Sequence, residues 1–225
     1  MYSKNPFTES EILTHLHHFS EETLWSYDTH WSNEEKKLFQ SLEKLKVDFR
    51  FPAVKNDVGQ NLNFLVSVLK PKTIFEMGSG YGQSAFWYLV GQEQLPQSIY
   101  LTERRDDLIE PFSKLSWPED WKEVLHYHQG DALLKLAEVE LLDLVLLDGE
   151  KGQYLEFLKA VEKKLSARGV VVVDNAFVKG TFLKEENQHK DMVKKTHEFH
   201  AYLKKGPFKT TFLPVRDGLF LLSKA

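Results

Sequence analysis

A chain of 225 residues, 42% apolar and 28% charged, fits one α/β domain with a modest extension better than two independent domains. Its formal net charge of −4 gives no global electrostatic reason to bind nucleic acid or an anionic membrane, and the lack of cysteine excludes thiol nucleophiles, disulfides and cysteine-ligated zinc. The opening MYSKNPFTESEILTHLHHF lacks the long apolar core of a signal peptide, and no apolar run approaches the about 20 residues of a membrane span, so a cytoplasmic location is expected.

Residues 1–50 are polar, aromatic and helical in pattern, an extension to a domain spanning 51–225. Ser32-Asn33-Glu34-Glu35 starts a helix through LFQSLEKLK, with Leu38, Leu42 and Leu45 on one face. Such a segment suits a cap, a substrate-pocket wall or a homodimer contact. In the next helix Asp57 followed by Gln60 resembles a capping box, and Leu62, Leu65, Val66 and Leu69 supply the buried face. From Lys72 strand and helix alternate. Strands are expected near 73–77, 98–103, 124–128, 142–147 and 169–174, and helices near 82–90, 105–115, 132–137 and 152–165. DLVLLD and GVVVVDN are nearly all apolar, as parallel strands buried on both faces are. Tyr154, Leu158, Val161 and Leu165 form a helical stripe between them. This alternation predicts a doubly wound, Rossmann-like, mostly parallel sheet with its ligand at the carboxyl ends of the strands. Met192, Thr196, Phe199 and Leu203 then share a helical face. FKTTFLPV and GLFLLSK, around Arg216-Asp217-Gly218, predict a C-terminal antiparallel hairpin.

The stretch Thr73 to Ala85, TIFEMGSGYGQSA, carries the first chemical motif. Apolar Ile74 and Phe75 lead to Glu76, glycines follow at 78, 80 and 82, and a helical SAFWYLV begins. Strand, glycine turn and helix start form a ligand cradle, because glycine turns tightly and admits close approach to the backbone. Packing is the competing reason for such glycines. A dinucleotide fingerprint would put its third glycine at position 83. That residue is Gln83, which disfavours a dehydrogenase. The pattern present, E-x-G-x-G-x-G, resembles the first motif of class I S-adenosylmethionine-dependent methyltransferases.

Acidic residues stand at the strand ends. Glu103 ends IYLTE, where a carboxylate accepts hydrogen bonds from ribose hydroxyls; a solvated Glu beside Arg104 and Arg105 is the alternative. Asp131 follows the third strand, where an adenine edge would lie, and is equally suited to cap a helix. Asp148 ends DLVLLD and Asp174-Asn175 end GVVVVDN, on one rim of the sheet. Two carboxylates and an amide oxygen form a hard ligand set that suits Mg²⁺, with Mn²⁺ and Ca²⁺ left open; ordinary strand-end carboxylates are the bland alternative.

Read together, LLDGEKGQYLEFL and VVVDNAFVKG resemble the cation-dependent O-methyltransferases, the family of catechol and caffeoyl-CoA methyltransferases and their bacterial relatives. The family run close to D-A-D-K-x-x-Y reads Asp148-Gly149-Glu150-Lys151-Gly152-Gln153-Tyr154. D-N-x-x-x-x-G reads Asp174-Asn175 through Gly180, and P-x-x-D-G-L reads Pro214, Asp217, Gly218 and Leu219. The resemblance runs from about Val54 to the C-terminus. It departs from the common pattern at Gly149 and Glu150, and residues 1–50 lie outside it.

The resemblance implies S-adenosylmethionine as cofactor. Gly78, Gly80 and Gly82 would wrap its methionine part with Glu76 and Ser84 in support. Glu103 would hold the ribose, Asp131 would lie near the adenine, and Val54 and Gly59 would belong to a covering segment. It further implies that Asp148, Asp174 and Asn175 hold the divalent cation, that Asp148 also borders the cofactor, and that Lys151 and Asp148 are the catalytic residues. Without those neighbours Lys151 reads as a solvated lysine at a helix start. The implied reaction moves a methyl group to a hydroxyl of a small vicinal diol such as a catechol. The cation acidifies that hydroxyl, and Lys151 takes the proton or steadies the oxyanion.

Two other readings stand beside this one. Some bacterial relatives methylate hydroxylated uridine in transfer RNA. Residues 184–209 hold seven lysines and four acids, interleaved with His189, His197 and His200. This segment is an RNA patch or, as the overall acidity favours, a solvated amphipathic helix. The third reading is a non-catalytic S-adenosylmethionine-binding module, which the metal trio and Lys151 argue against. The expected partners are therefore a small-molecule acceptor, transfer RNA second, no membrane, and a second copy in a homodimer.

Overall fold

The computed structural model describes residues 30–175, 177, 185–187 and 189–225. Helix α1 (Asn33–Asp48) starts where the sequence predicts. The Glu35 amide donates to Ser32 Oγ at 3.1 Å, and the Ser32 amide donates to Glu35 Oε2 at 2.7 Å, closing a capping box. Its Leu38 and Leu42 are buried in the same core as Ile74. Helix α2 (Asn56–Leu69) departs from expectation. Lys55 is its N-cap, without a side-chain cap bond. Asp57 falls inside the first turn, where Oδ1 accepts from the Val58 amide at 2.9 Å and Oδ2 pairs with Arg216. A long-range ion pair has taken the carboxylate that the expected capping box needs.

Strand β1 (Thr73–Met77) leads through the glycine turn into α3 (Gln83–Leu89), then β2 (Ser98–Glu103). The helix expected over 105–115 is divided into a 3₁₀ turn (Asp106–Leu108) and α4 (Ile109–Lys114). The division puts Pro111 in the first turn of α4, where its missing N–H leaves no bond unmade. Helix α5 (Glu119–Val124) follows Pro118 and was not anticipated, although two acids open it. Then come β3 (Leu125–Gln129), α6 (Ala132–Glu138), β4 (Leu142–Leu147), a 3₁₀ turn (Lys151–Gln153) and α7 (Tyr154–Lys164). Strand β5 (Leu165–Val173) starts four residues before the expected 169, with a register irregularity against β4 between Leu142 and Leu144. The polar Ser166-Ala167-Arg168 run hides this first half. A 3₁₀ turn (Glu185–Asn187), α8 (Asp191–Lys205), β6 (Phe208–Leu213) and β7 (Leu219–Lys224) complete the described chain. On α8 the buried face is Val193, Thr196, Phe199 and Leu203; Met192, assigned to it from the sequence, is 38% exposed because it lies one residue out of step.

The sheet order is β3-β2-β1-β4-β5-β7-β6. Strands β1 to β5 pair in parallel, and β7 joins β5 and β6 antiparallel. The expected α/β fold, doubly wound with a terminal hairpin, is therefore present. Alternate residues of the central strands enter opposite cores, Ile74, Leu144 and Val172 on one face and Phe75, Val145 and Val171 on the other. The chain order reverses between β1 and β4, and a crevice opens at their carboxyl ends. No helix among the described residues is long and apolar enough to cross a membrane.

Candidate active site

The glycine turn closes the floor of this crevice. Gly78 has φ of +90°, and a Cβ there would lie 2.6 Å from Gly149 Cα and 2.7 Å from the Asp148 carbonyl oxygen. Only glycine lets the tips of β1 and β4 meet so closely. At Gly80, with φ of +54°, a Cβ would lie 2.3 Å from the Phe51 ring. Packing therefore demands this glycine before any ligand does. The Gly80 amide donates to Glu103 Oε2 at 3.0 Å, and Tyr127 donates its hydroxyl to the Gly80 carbonyl at 2.7 Å. Glu103 Oε1 accepts from the Arg104 and Arg105 amides at 2.8 and 2.9 Å. One carboxylate thus binds the glycine turn to the tip of β2 and retains lone pairs for a ligand.

Below the turn Glu76 is 1% exposed, with Ser84 Oγ 2.6 Å from each carboxyl oxygen. Burial raises the Glu76 pKa to about 8, against the opposing Ser84 hydrogen bond. Val54 is buried in the core, and Gly59 admits the Trp87 indole, whose Nε1 would lie 2.2 Å from a Cβ there. Gly82 opens α3 as its N-cap.

Above the turn lies a cavity of about 230 Å³, lined among others by Met77, Gly78, Glu103, Arg104, Asp148 and Glu150. Gly130 and Ala132 line it from the loop after β3, and Asp131 between them caps α6, Oδ1 accepting from the Leu133 amide at 2.8 Å. Its second oxygen pairs with Arg104 Nη2, and the guanidinium holds Asp131 below the usual carboxylate range. Arg104 Nη1 donates to Glu150 Oε2 at 3.0 Å. Nothing in the sequence spacing links Arg104 to partners 27 and 46 residues away.

Asp148, Lys151, Asp174 and Asn175 converge beside the cavity. Lys151 Nζ donates to Tyr154 Oη at 2.5 Å, and to Asp148 Oδ1 and the Asp174 carbonyl at 3.4 Å each. Three acceptors match the three N–H bonds of an ammonium. The Tyr154 hydroxyl donates to the Leu147 carbonyl at 2.9 Å, and burial pushes its pKa well above its ordinary value. It is a fixed neutral post for Lys151. The sequence offered a signal for this pair in the three-residue spacing at a helix start. Asn175, at φ of +52°, turns Nδ2 to Asp148 Oδ1 at 3.3 Å. Burial, then the charge of Asp148, raises Asp174 to about 7; burial raises Asp148 as well. Among the described residues no three His, Cys, Asp or Glu side chains form a metal-binding group. Gly180 of the D-N-x-x-x-x-G pattern lies outside the described residues. On α8, Lys195 faces Gly152, its Nζ 3.5 Å from where a Cβ would stand, which brings part of the lysine-rich segment to the rim of the site.

A family model described as O-methyltransferase matches residues 29–225. Among solved structures, a Podospora anserina methyltransferase, PaMTH1, bound to S-adenosylhomocysteine aligns over 100% of both chains, at 21% identity and TM-score 0.73. The Streptomyces achromogenes O-methyltransferase TomG, involved in tomaymycin synthesis and bound to S-adenosylmethionine, aligns over 97% of this chain and 100% of its own, at 21% identity and TM-score 0.76. An O-methyltransferase from Bacillus cereus in complex with S-adenosylhomocysteine aligns over 93% and 96%, at 17% identity and TM-score 0.75.

Proposed function

The chain belongs to the O-methyltransferase family, and from that premise we propose that it transfers a methyl group from S-adenosylmethionine to a hydroxyl of a small vicinal diol such as a catechol, with a divalent cation at Asp148, Asp174 and Asn175. The observation that carries this reading is the convergence of buried Asp174, half-buried Asp148, the Asn175 amide and Lys151 where Asp148 meets the cavity. The cofactor would occupy the cavity, with Glu103 on the ribose, Asp131 toward the adenine and the glycine turn beneath the methionine part. The cofactors bound to PaMTH1 and TomG support that assignment.

The residues fit a cation. Burying two carboxylates that share one lysine is costly, and Asp174 is raised to about 7 as a result. Their oxygens suit Mg²⁺, and Asn175 completes the set once its amide presents oxygen. A bound cation would supply Lewis-acid activation of the acceptor hydroxyl. Lys151, its Nζ held by three acceptors, steadies the oxyanion as charge develops. Tyr154 fixes where Nζ stands, and the strand ends align donor and acceptor. A cytoplasmic homodimer belongs to the same proposal; Phe64 and Val68, exposed one turn apart on α2, support a self-associating face.

Incubation with labelled S-adenosylmethionine, Mg²⁺ and parallel pools of catechols and transfer RNA tests the reading. Label is expected in the catechol pool, to vanish with EDTA and to return with Mg²⁺. Full transfer after exhaustive chelation would remove the cation; label in transfer RNA alone would transfer the activity to the second acceptor. Lys195 at the rim of the site is the feature that favours that second outcome.

A further inference from the structure

Arg104 joins three loops through one guanidinium. It follows β2, while its partners Asp131 and Glu150 follow β3 and β4. In the sheet β1 lies between β2 and β4, so the Arg104–Glu150 pair crosses over the tip of β1. Met77 and Gly78 at that tip line the cavity, as do Arg104 and Glu150 themselves. The geometry points to Arg104 as a retaining strap across the mouth of the cavity, whose contact with Glu150 opens for the cofactor to enter and for the demethylated product to leave. The inference rests on the reading of this cavity as the S-adenosylmethionine site and adds the residue that sets the exchange rate.

The two ends of the strap differ. Asp131 is anchored, because its other oxygen caps α6 through the Leu133 amide. The Arg104 amide is anchored too, on Glu103 Oε1. Glu150 carries a side chain 66% exposed, in the loop before the Lys151 turn. Opening therefore occurs at the Glu150 end, with Asp131 as the hinge. A planar guanidinium can hold two carboxylates at once, which a lysine cannot do in the same geometry. Exposed ion pairs are individually weak and screened by salt. The strap accordingly slows passage by about twofold to fivefold and does not bar it.

A field effect is the rival explanation, and the ligands separate the two. Removing Arg104 leaves Glu103, Asp131 and Glu150 unopposed at the mouth. S-adenosylmethionine has one net positive charge, from sulfonium, ammonium and carboxylate, whereas S-adenosylhomocysteine has none. A field acts on the first and hardly on the second; a strap holds both.

The test is stopped-flow displacement of each ligand from the full-length protein at low and high salt, for wild type, R104Q and E150Q. All three are expected to fold, since both substituted side chains are partly solvent-exposed. Wild-type dissociation of both ligands should accelerate with salt. R104Q should release both about twofold to fivefold faster at low salt and lose most of the salt dependence, and E150Q should show the same trend. Unchanged release of S-adenosylhomocysteine in R104Q would overturn the strap and leave a field effect. Failure of wild type to bind either ligand would instead overturn the cavity assignment, and the strap with it.

Discussion

The two sides of the site treat charge differently. On the β2–β3 side Glu103 accepts from three backbone amides, and Asp131 is held by a helix cap and by Arg104. On the β4–β5 side buried Asp174 and half-buried Asp148 lie beside Lys151, and desolvation raises both pKa values. The first arrangement pairs each of its carboxylates with backbone amides or a guanidinium. The second sets two carboxyls beside one lysine, an arrangement that desolvation makes costly and a bound cation would relieve. The contrast is between a half whose carboxylates are paired and a half that crowds two carboxyls around one lysine; on the proposed function the first would bind and the second react.

Lys151→Ala breaks the contrast most strongly. It removes the cation from the reacting half and leaves the glycine turn and Glu103 as they are. Turnover is expected to fall by roughly 10²-fold or more, the usual scale for a positioned group of this kind. The loss should appear in kcat, because the interaction grows with the charge of the reacting complex. Cofactor affinity measured by calorimetry should change little. An unaltered kcat on a preferred acceptor would return Lys151 to a solvated lysine at a helix start.

Glu76→Gln asks whether the charge excess extends beneath the glycine turn. The native carboxyl titrates near 8 against an ordinary 4.5. Between those values the folded state binds the extra proton, so this stability is complete below about pH 4.5 and is lost as pH rises to about 8. The shift corresponds to roughly 5 kcal/mol at most once the whole window is crossed. Thermal unfolding of the ligand-free protein should therefore show the variant gaining on wild type steadily from pH 5 to 8. Parallel curves for the two proteins would sink the assignment of a neutral buried Glu76.

Much of this was legible before the structure. The glycine turn, the strand ends at Glu103, Asp148 and Asp174, and the terminal hairpin all follow from local pattern, because strand burial and turn chemistry leave a periodic trace. The sequence hid what depends on long-range pairing. Asp57 looks like a cap and serves Arg216, 159 residues distant. Arg104 looks like a solvated neighbour of Glu103 and reaches two other loops. Gly80 looks like a ligand cradle and also makes room for Phe51. A substitution there strains the backbone as well as the cavity. Met192 shows the remaining kind of error, a helical face read one residue out of step.

The smallest expected effect concerns α8, where the acceptor question is decided. Lys194 and Lys204 are exposed, whereas Lys195 stands against Gly152 beside the Lys151 turn. Lys194→Glu with Lys204→Glu therefore tests the lysine-rich face without touching the rim of the site. If α8 is a solvated amphipathic helix, catechol methylation should stay within about twofold of wild type, since exposed substitutions seldom exceed about 0.5 kcal/mol. Transfer RNA binding, if present in wild type, gives the opposite signature. Each lost phosphate contact would lower the slope of log affinity against log salt by roughly 0.7 to 0.9, because fewer counterions are released. We expect the first result. Salt-sensitive transfer RNA binding that weakens in the double variant, with catechol turnover absent from wild type, would shift the acceptor from a small diol to RNA and extend the reacting half of the site onto α8.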